Sequence, residues 1–390
     1  MERIGIYGGS FNPVHLGHIR GAEAAAKELN LDRVIFLPAK SVHSGAVPKE
    51  LEAGTHRLRM LQIAAEGSAF LEVSDLELSG KTKYTWESLE RFREVYPSAT
   101  LYLILGSDLL GNLDSWVSIG QILELADIAV LRRGEKGEQM LLDRQLPVLE
   151  AMGARIHLLS NETLTISSTQ LRRLLAFGCG ASFLPQAVGA YIREQGLYHV
   201  NANWKNLPME ELEQVVISLL NPNRVAHVLG CRDTAVELAR RWGADETDAA
   251  RAGILHDVTK ALDGPLQLTV CAEYGRILSD FSRKYAKTLH ALTGSLVAER
   301  IFGENEAVVS AIRHHTTGKP DMSLLEKIIY VADYMEPNRD IPGVEELRRL
   351  AFTDIPAALK LGLEMTLEHL NRQGSEVARE SREALAWLNR

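Results

Sequence analysis

The chain has 390 residues, a formal net charge of −8 and 46% hydrophobic residues, an ordinary composition for a globular protein. This length allows two domains with separate cores, and the negative charge gives no reason to expect nucleic acid or an anionic membrane as a partner. The three cysteines are far apart and form no C-x-x-C pair, so the sequence indicates neither a disulfide framework nor a thiolate zinc site.

The chain also lacks the features of a targeted or membrane-spanning protein. The opening MERIGIYGG has too short an apolar run for a signal peptide, and no apolar run approaches the ~18 residues of a membrane helix. We interpret the cysteines as small buried residues in a reducing compartment. Together these observations predict a cytoplasmic protein.

In the first half of the chain, short β-rich runs alternate with amphipathic stretches. The candidate strands are Arg3–Tyr7, Arg33–Leu37, Leu71–Leu76, Thr100–Leu105, Ile128–Leu131 and Arg155–Leu159. The helical patterns are Gly21–Leu29, Glu87–Val95, Glu138–Met152 and the closing Leu184–Gln195. This alternation predicts an α/β domain, with a parallel sheet covered by helices on both faces.

The sequence pattern changes near Tyr198, where the polar stretch HVNANWKNLP contains Pro208 and is typical of a linker. Beyond it, helical patterns follow one another without a convincing strand, which predicts an all-α domain. These patterns cover Glu210–Leu220, Asn223–Trp242, Ala249–Leu262, Ala286–Phe302, Leu324–Met335 and Pro356–Asn371. We therefore predict domains at 1–198 and 209–390, joined by a linker at 199–208.

The strongest local motif is GGSFNPVHLGH, which follows the first predicted strand and ends where a helix begins. Gly8, Gly9 and Ser10 allow a tight turn and a close approach to an anion. The N-terminal amides of the helix point towards the same place. His15 and His18 can donate hydrogen bonds to a phosphate whose charge grows in the transition state. The motif therefore predicts phosphate chemistry.

A second segment, ISSTQLR, would close this site from the far end of the domain. Either Ser167 or Ser168 can cap a helix, with hydroxyls and backbone amides facing phosphate. Arg172 lies one turn into that helix and suits the β- and γ-phosphates of ATP.

These motifs resemble the nucleotidyltransferase superfamily with the H-x-G-H motif, whose signature G-[ST]-F-[ND]-P-x-H-x-G-H is matched at every specified position. Three further segments, KYTWESL, LGSDLLGNLDSW and FLPQAVGAYIREQGLY, resemble the bacterial nicotinate mononucleotide adenylyltransferases. The resemblance covers roughly Met1 to Tyr198. It implies a Rossmann-like domain that transfers AMP from ATP to nicotinate mononucleotide by in-line displacement, with magnesium on the departing pyrophosphate.

The resemblance also implies the binding residues. ATP would contact Gly8, Gly9, Ser10, Phe11, His18, Gly106, Asp108, Ile166, Ser167, Ser168 and Arg172, with His15 and His18 as the catalytic pair. The nicotinate nucleotide would contact Lys40, His43, Tyr84, Thr85 and Trp116, the last by stacking on the pyridine ring.

The chain departs from the family pattern at three places. The segment PAKSVHSG keeps His43 but lacks the usual Pro-Pro and the following lysine, and we expect Lys40 to compensate. Glu87 stands where the family has aspartate, and Arg133 replaces the proline of an R-P-G segment. These departures bear on the acceptor rather than on adenylyl transfer.

Histidines and aspartates in the second half form an ordered set within apolar helical sequence. They are His227, His256, Asp257, His290, His315 and Asp333, with His314 a weaker candidate beside His315. Imidazole and carboxylate without thiolate suit iron, manganese, zinc or magnesium. Since six ligands exceed what one ion takes, we expect two metals with Asp257 bridging them.

The pieces ILHDVTK, LHALTG, IRHHTTG and KIIYVADYMEPNR resemble the HD-domain phosphohydrolases, and more narrowly the bacterial group that splits diadenosine tetraphosphate symmetrically at a di-iron centre. By that resemblance, one metal would be held by His227, His256, Asp257 and Asp333, and the other by His290 and His315. Asp257 would be catalytic, Lys260 and Arg339 would bind substrate phosphates, and a dinucleoside polyphosphate would be the substrate.

The sequence thus predicts a fused bifunctional enzyme, and three alternatives remain open. The transferase could use another acceptor, such as phosphopantetheine. The HD half could be a non-catalytic nucleotide sensor or a nucleoside monophosphatase. A homo-oligomer also remains open.

Overall fold

The structure is a computed structural model that describes residues 1–40, 51–134, 137–164, 166–278 and 288–390. Its internal contacts divide the chain into two compact units, Met1–Ala176 with Gly180–Asn201, and Phe177–Cys179 with Ala202–Arg390. Within the described ranges, none of the helices combines the length and apolar character needed to cross a membrane.

The first unit contains a six-stranded parallel sheet of order β3-β2-β1-β4-β5-β6. The strands are β1 (Arg3–Gly9), β2 (Arg33–Pro38), β3 (Leu71–Val73), β4 (Thr100–Gly106), β5 (Ala126–Leu131) and β6 (Ile156–Leu158). All the predicted strands are present, and the α/β class is confirmed. The strand order reverses between β1 and β4, and open α/β sheets bind ligands at that crevice, outside the carboxyl ends of the strands.

Helices connect these strands, and two more follow the last strand. They are α1 (Leu16–Leu29), α2 (Gly54–Ala65), α3 (Thr85–Val95), α4 (Ser107–Leu110), α5 (Ile119–Leu125), α6 (Glu138–Ala151), α7 (Ser168–Ala176) and α8 (Gln186–Gln195). The core forms because the strands are almost continuously apolar: Ile4 and Ile6 of β1 pack with Leu101 and Leu103 of β4 in one buried cluster. This packing fixes the carboxyl ends of the two strands beside each other.

The second unit is helical, as predicted, and its described residues contain no strand. Its helices are α9 (Met209–Leu219), α10 (Val225–Trp242), α11 (Glu246–Leu255), α12 (Gly264–Glu273), α13 (Leu289–Val297), α14 (Glu306–His314), α15 (Leu324–Met335), α16 (Val344–Ala351), α17 (Ile355–Arg372) and α18 (Arg379–Leu388). A π-helical turn, Ala298–Phe302, continues α13.

Local signals explain where several of these helices begin and end. The side chain of Asn305 accepts a hydrogen bond from the Val308 amide and starts α14, and Ser323 caps α15 in the same way. Gly243 takes the left-handed conformation that ends α10. α10, α11, α13, α14 and α15 surround the predicted metal ligands.

The predicted linker 199–208 packs against the second unit over its later residues. Trp204 is buried and stacks on Phe302, with ring centroids 5.8 Å apart and planes inclined by 9°. The amide of Asn206 donates to the Phe302 carbonyl at 3.0 Å, and Arg251 donates to the Leu207 carbonyl at 2.8 Å. The domain boundaries themselves stay a prediction.

Candidate active sites

The loop after β1 is held by side chains from distant parts of the first unit. The buried guanidinium of Arg57 donates to the Ser10 carbonyl at 2.8 Å. The Tyr198 hydroxyl donates to Asn12 Oδ1 at 3.0 Å, and Arg172 Nη1 donates to the Asn12 carbonyl at 2.7 Å. These bonds fix the backbone whose amides are predicted to face phosphate.

Within this loop, the residues predicted to bind ATP differ in how much space surrounds them. A Cβ at Gly8 would meet no atom within 4 Å, whereas one at Gly9 would lie 3.1 Å from the Phe11 ring. Phe11 itself is buried, with its ring centroid 5.0 Å from that of His18. The buried Phe11 ring packs against His18, so the predicted contact of Phe11 with ATP would have to use its backbone.

The two histidines of the motif lie against each other at the start of α1. Their ring centroids are 3.7 Å apart, and the His15 backbone amide donates to His18 Nδ1 at 3.1 Å. Since Nδ1 accepts, a neutral His18 carries its proton on Nε2. Both ring nitrogens of His15 are buried and have no hydrogen-bond partner among the described residues, although such atoms normally have one. This pair is therefore suited to receive a ligand with hydrogen-bonding oxygens.

Burial keeps these imidazoles neutral. Burial, followed by the positive charge of Arg133, lowers the pKa of His15 to about 3. Burial, His15 and Arg133 together hold the pKa of His18 well below its usual value. A neutral His18 at physiological pH donates one hydrogen bond without carrying a net charge.

Arg133 is a residue that the sequence analysis noted only as a departure from the family. It lies at the carboxyl end of the sheet, where its Nε donates to Asp108 at 3.1 Å. A Cβ at Gly106 would lie 2.6 Å from Arg133 Nε and would overlap Asp108, so a larger residue there would have to displace this ion pair. Glu138 fixes the loop by accepting from the amides of Arg133 and Gly134 at 2.6 and 3.2 Å. The sequence signal for the contact of Arg133 with the site was a cation two residues after the end of a buried strand.

The segment ISSTQLR lies against the same loop. Ser167 caps α7, since its hydroxyl accepts from the Gln170 amide at 3.2 Å, and Ile166 is buried. The Ser168 hydroxyl donates to the Pro13 carbonyl at 3.1 Å. Because Arg172 also donates to the Asn12 carbonyl, the structure brings this segment to the loop after β1.

The predicted acceptor residues lie on several elements. Tyr84 is the N-cap of α3 and Thr85 its first residue. A Cβ at Gly80 would lie 3.0 Å from Lys40 Nζ, so the end of β2 approaches the loop before α3. Trp116 is half-buried and packs against the core cluster. His43 lies outside the described residues, and the assembly of this group around one nucleotide stays a prediction.

In the second unit, one part of the predicted metal set converges from α10, the end of α11 and α15. His227 Nε2 lies 3.1 Å from Asp333 Oδ1, and His256 Nε2 lies 3.3 Å from His227 Nε2. Asp257 Oδ2 is 3.7 Å from His227 Nε2 and 3.6 Å from His256 Nε2. All these side chains are buried or nearly so.

The other part lies on the opposite oxygen of the same aspartate. Asp257 Oδ1 is 3.4 Å from His290 Nε2 and 3.9 Å from His315 Nε2, and these two nitrogens are 3.2 Å apart. Each carboxylate oxygen of Asp257 thus faces its own pair of imidazoles, so this side chain could hold two ions.

The hydrogen bonds made by Nδ1 of these histidines determine whether Nε2 can bind a cation in the cluster. Nδ1 of His256 donates to the Gly253 carbonyl and Nδ1 of His315 to the Ile312 carbonyl, both at 2.7 Å. Their Nε2 atoms then point bare lone pairs into the cluster, beside carboxylates that also only accept. Facing lone pairs repel each other unless a cation lies between them. The donor set therefore fits metal ions, and its chemistry suits a transition metal.

Cations line this cluster. Lys260 Nζ is 3.7 Å from Asp257 Oδ1, and Arg339 Nη2 donates to Asp333 Oδ1 at 2.7 Å, so both predicted phosphate-binding residues are present at the site. Arg224, which the sequence analysis did not assign, forms an ion pair with Asp257. Burial and the neighbouring arginines lower the pKa of Lys260 to about 8, although Asp333 opposes this shift.

Two further residues near the cluster are His314, which lies outside it, and Glu336, which contacts one of its histidines. His314 does not join the cluster but contacts Glu326, with Nδ1 and Oε1 3.1 Å apart, in agreement with its weaker candidacy. Glu336 is 1% exposed and accepts from His227 Nδ1 at 3.1 Å. The sequence analysis quoted Glu336 within the EPNR segment but gave it no role.

Fold and geometry define the class of each unit: a parallel-sheet nucleotidyl-transfer domain and a helical histidine–aspartate metal centre. The cytidylyltransferase-like family profile matches residues 6–174, and the HD domain profile matches residues 224–338.

Curated relatives match each half and the whole. A probable nicotinate-nucleotide adenylyltransferase of Dehalococcoides mccartyi is 38% identical over 50% of this chain and 97% of its own length. The symmetrical bis(5'-nucleosyl)-tetraphosphatase of Bacillus subtilis is 37% identical over 46% of this chain and 96% of its own. A probable nicotinate-nucleotide adenylyltransferase/Ap4A hydrolase of Mycoplasma pneumoniae is 28% identical over 94% of this chain and 98% of its own.

The chain therefore belongs to the nicotinate-nucleotide adenylyltransferase family through its first half and to the symmetrical bis(5'-nucleosyl)-tetraphosphatase family through its second half. The predicted family resemblances are confirmed.

Proposed function

We propose that the first unit transfers AMP from ATP to nicotinate mononucleotide, giving nicotinate adenine dinucleotide and pyrophosphate. The observation that carries this proposal is the buried, neutral pair of His15 and His18 at the point where the strand order reverses. The names of the relatives that match this half support the acceptor.

In the proposed reaction, a phosphate oxygen of the acceptor attacks the α-phosphorus of ATP. A new P–O bond forms while the bond from the α-phosphorus to the bridging oxygen breaks, and pyrophosphate leaves with that oxygen. The Nε2–H of His18 donates to an α-phosphoryl oxygen, whose charge rises in the transition state. The loop amides and Arg172 position the remaining phosphates. Magnesium, when bound, would neutralise charge on the pyrophosphate.

The acceptor is proposed to be recognised beside α3. Glu87 accepts from the amides of Lys83 and Tyr84 at 2.6 and 3.1 Å, which fixes the start of the helix. The first-turn amides at Thr85 have no partner within the helix, and they favour an anion such as the nicotinate carboxylate. Trp116 would stack on the pyridine, with Lys40 near the phosphate. This arrangement favours nicotinate over its uncharged amide.

For the second unit, we propose hydrolysis of diadenosine tetraphosphate, in which water attacks a central phosphorus, the central P–O–P bond breaks and two ADP form. A pair of divalent metals would supply Lewis acidity for activating the water and for neutralising the phosphates. Asp257 would hold both ions, and Lys260 and Arg339 would bind the outer phosphates. The cluster geometry and the name of the relative from B. subtilis support this proposal.

We further propose iron as the metal pair and the cytoplasm as the location. The test is metal analysis of protein purified with and without air, combined with product analysis on diadenosine tetraphosphate. Two irons per chain and ADP as the sole product are expected. ATP plus AMP would refute the symmetrical reaction. Turnover of AMP alone would instead establish a nucleoside monophosphatase, and an unconsumed dinucleotide that alters the transferase rate would establish a sensor.

A further inference from the structure

The environment of His227 differs from that of two other imidazoles in the metal cluster. His256 and His315 direct Nδ1 to backbone carbonyls, which are fixed by their helices. His227 directs Nδ1 to the carboxylate of Glu336, 109 residues away in sequence, at 3.1 Å. Glu336 is as buried as a core residue, and burying a carboxylate is costly unless its contacts compensate.

Hydrogen bonds and a neighbouring glycine form a specific binding pocket for this carboxylate. Asn338 donates to Glu336 Oε2 through its backbone amide at 2.7 Å and its side-chain amide at 2.9 Å. Gly230 lies against the same carboxylate, one turn along α10 from His227. A Cβ at Gly230 would overlap Glu336 Oε2 and lie 3.2 Å from Asn338 Nδ2. Glycine in a helix interior is destabilising, so its presence here fits a need for space.

The loop that carries Glu336 is itself clamped. Arg348 donates to the carbonyls of Met335, Glu336 and Arg339, each at 3.0 Å. Arg339 in turn donates to the carbonyl and the side chain of Asp333, at 2.9 and 2.7 Å. The same short loop therefore contacts two side chains of the cluster, the imidazole of His227 and the carboxylate of Asp333.

We propose that Glu336 is a positioning residue for the metal that His227 and Asp333 bind. This inference rests on the metal centre proposed above and adds a residue to it. The carboxylate fixes the Nδ1–H tautomer of His227, aims Nε2 into the cluster and increases the basicity of that nitrogen. Removing such a partner typically weakens metal binding by about 10- to 100-fold.

The chain offers a closely matched control. Glu326 is also 1% exposed, and its Oε1 also lies 3.1 Å from an imidazole Nδ1, that of His314. His314 lies outside the metal cluster. If Glu336 acts only as a buried carboxylate that stabilises the fold, replacing either glutamate should have the same effect.

The experiment is a titration of metal-free full-length protein with Co²⁺, followed by its visible absorption and by competition with a chelator. Glu336→Gln keeps the volume but removes the charge. Gly230→Ala keeps every charge and favours the helix, but displaces the carboxylate. Glu326→Gln is the control, and melting temperatures of the metal-free proteins are measured in parallel.

Wild-type protein is expected to bind two Co²⁺. Glu336→Gln and Gly230→Ala should each weaken one of the two steps by about 10-fold or more and alter its absorption, while Glu326→Gln leaves both steps unchanged. Wild-type affinity in Glu336→Gln would overturn this inference and leave the metal centre intact. Equal weakening in Glu326→Gln would also overturn it, because a general loss of stability would then be responsible. A wild-type protein that binds no Co²⁺ would refute the metal centre as well.

Discussion

In the first unit, Nδ1 of His18 accepts a hydrogen bond from a backbone amide, whereas in the second unit Nδ1 of His256 and of His315 donates to a backbone carbonyl. The same side chain is thereby prepared for opposite tasks. The first arrangement leaves a proton on Nε2 and makes a donor for phosphate oxygen. The second leaves a lone pair on Nε2 and makes a ligand for a metal.

The surroundings reinforce this difference. Near His15 and His18 the neighbouring charge that acts on the imidazoles is that of Arg133, which disfavours protonation and suits an anionic ligand. In the metal cluster, Asp257 and Asp333 lie within 4 Å of imidazole nitrogens and suit a cation. A histidine-rich motif thus acquires its chemistry from one backbone hydrogen bond and the nearest charges.

The largest effect is expected from substitution of Asp257, which should affect the second unit alone. Asp257→Ala should abolish dinucleotide hydrolysis and weaken metal binding by more than about 100-fold, because both carboxylate oxygens face imidazole pairs. Removing a residue that only hydrogen-bonds to a metal ligand already lowers metal affinity by about 10- to 100-fold. Adenylyl transfer should be retained. Metal content, hydrolysis and transfer are measured on one preparation. A variant that binds full metal and still hydrolyses the dinucleotide would refute the metal-site assignment, and one that is folded but silent in transfer would show that the two activities are coupled.

The reciprocal change is His18→Ala. It removes the Nε2–H donor and should lower kcat of adenylyl transfer by about 10²- to 10³-fold, the usual effect of losing a donor to a developing oxyanion. Hydrolysis and metal content should change little. Steady-state kinetics of both reactions decide the outcome, and near-wild-type transfer would remove His18 from the mechanism.

A smaller effect is expected at the acceptor. Trp116→Ala should raise KM for nicotinate mononucleotide by about 5- to 100-fold, because stacking on an aromatic ring contributes about 1–3 kcal/mol per base. KM for ATP should rise much less. Trp116→Phe keeps an aromatic face and is the control. Equal changes in both KM values would mean that Trp116 serves only the core cluster against which it packs.

The smallest expected effect concerns which ring nitrogen of His18 and of His256 carries the proton. In metal-free protein, ¹⁵N chemical shifts of the imidazoles should show Nε2–H for His18 and Nδ1–H for His256. The signals of His15 and His18 should not titrate near pH 6.5, because their pKa values are lowered. The unfolded chain takes up these protons below its ordinary pKa, so stability should fall as the pH drops from about 6.5 towards 3. A His18 that titrates normally, or carries Nδ1–H, would contradict the donor assignment.

The sequence predicted the strands of the first unit because buried parallel strands are nearly continuous apolar runs. It did not predict α2, α4, α5, α12, α14, α16 and α18, which are 4 to 12 residues long and therefore offer only short patterns. The candidate metal ligands were predictable as a set, since each lies in apolar helical sequence. Arg133, Arg224 and Glu336 were not, because their partners are tens to more than a hundred residues away and depend on tertiary packing.

The bonds that hold Asn12 bear on the order in which the protein is made. Asn12 is synthesised early, but its carbonyl is bound by Arg172, 160 residues later, and its side chain by Tyr198, 186 residues later. On the ribosome, the loop after β1 therefore lacks these two partners until nearly the whole first unit has emerged. A nascent chain arrested before Tyr198 should have its first strands but no functional nucleotide site.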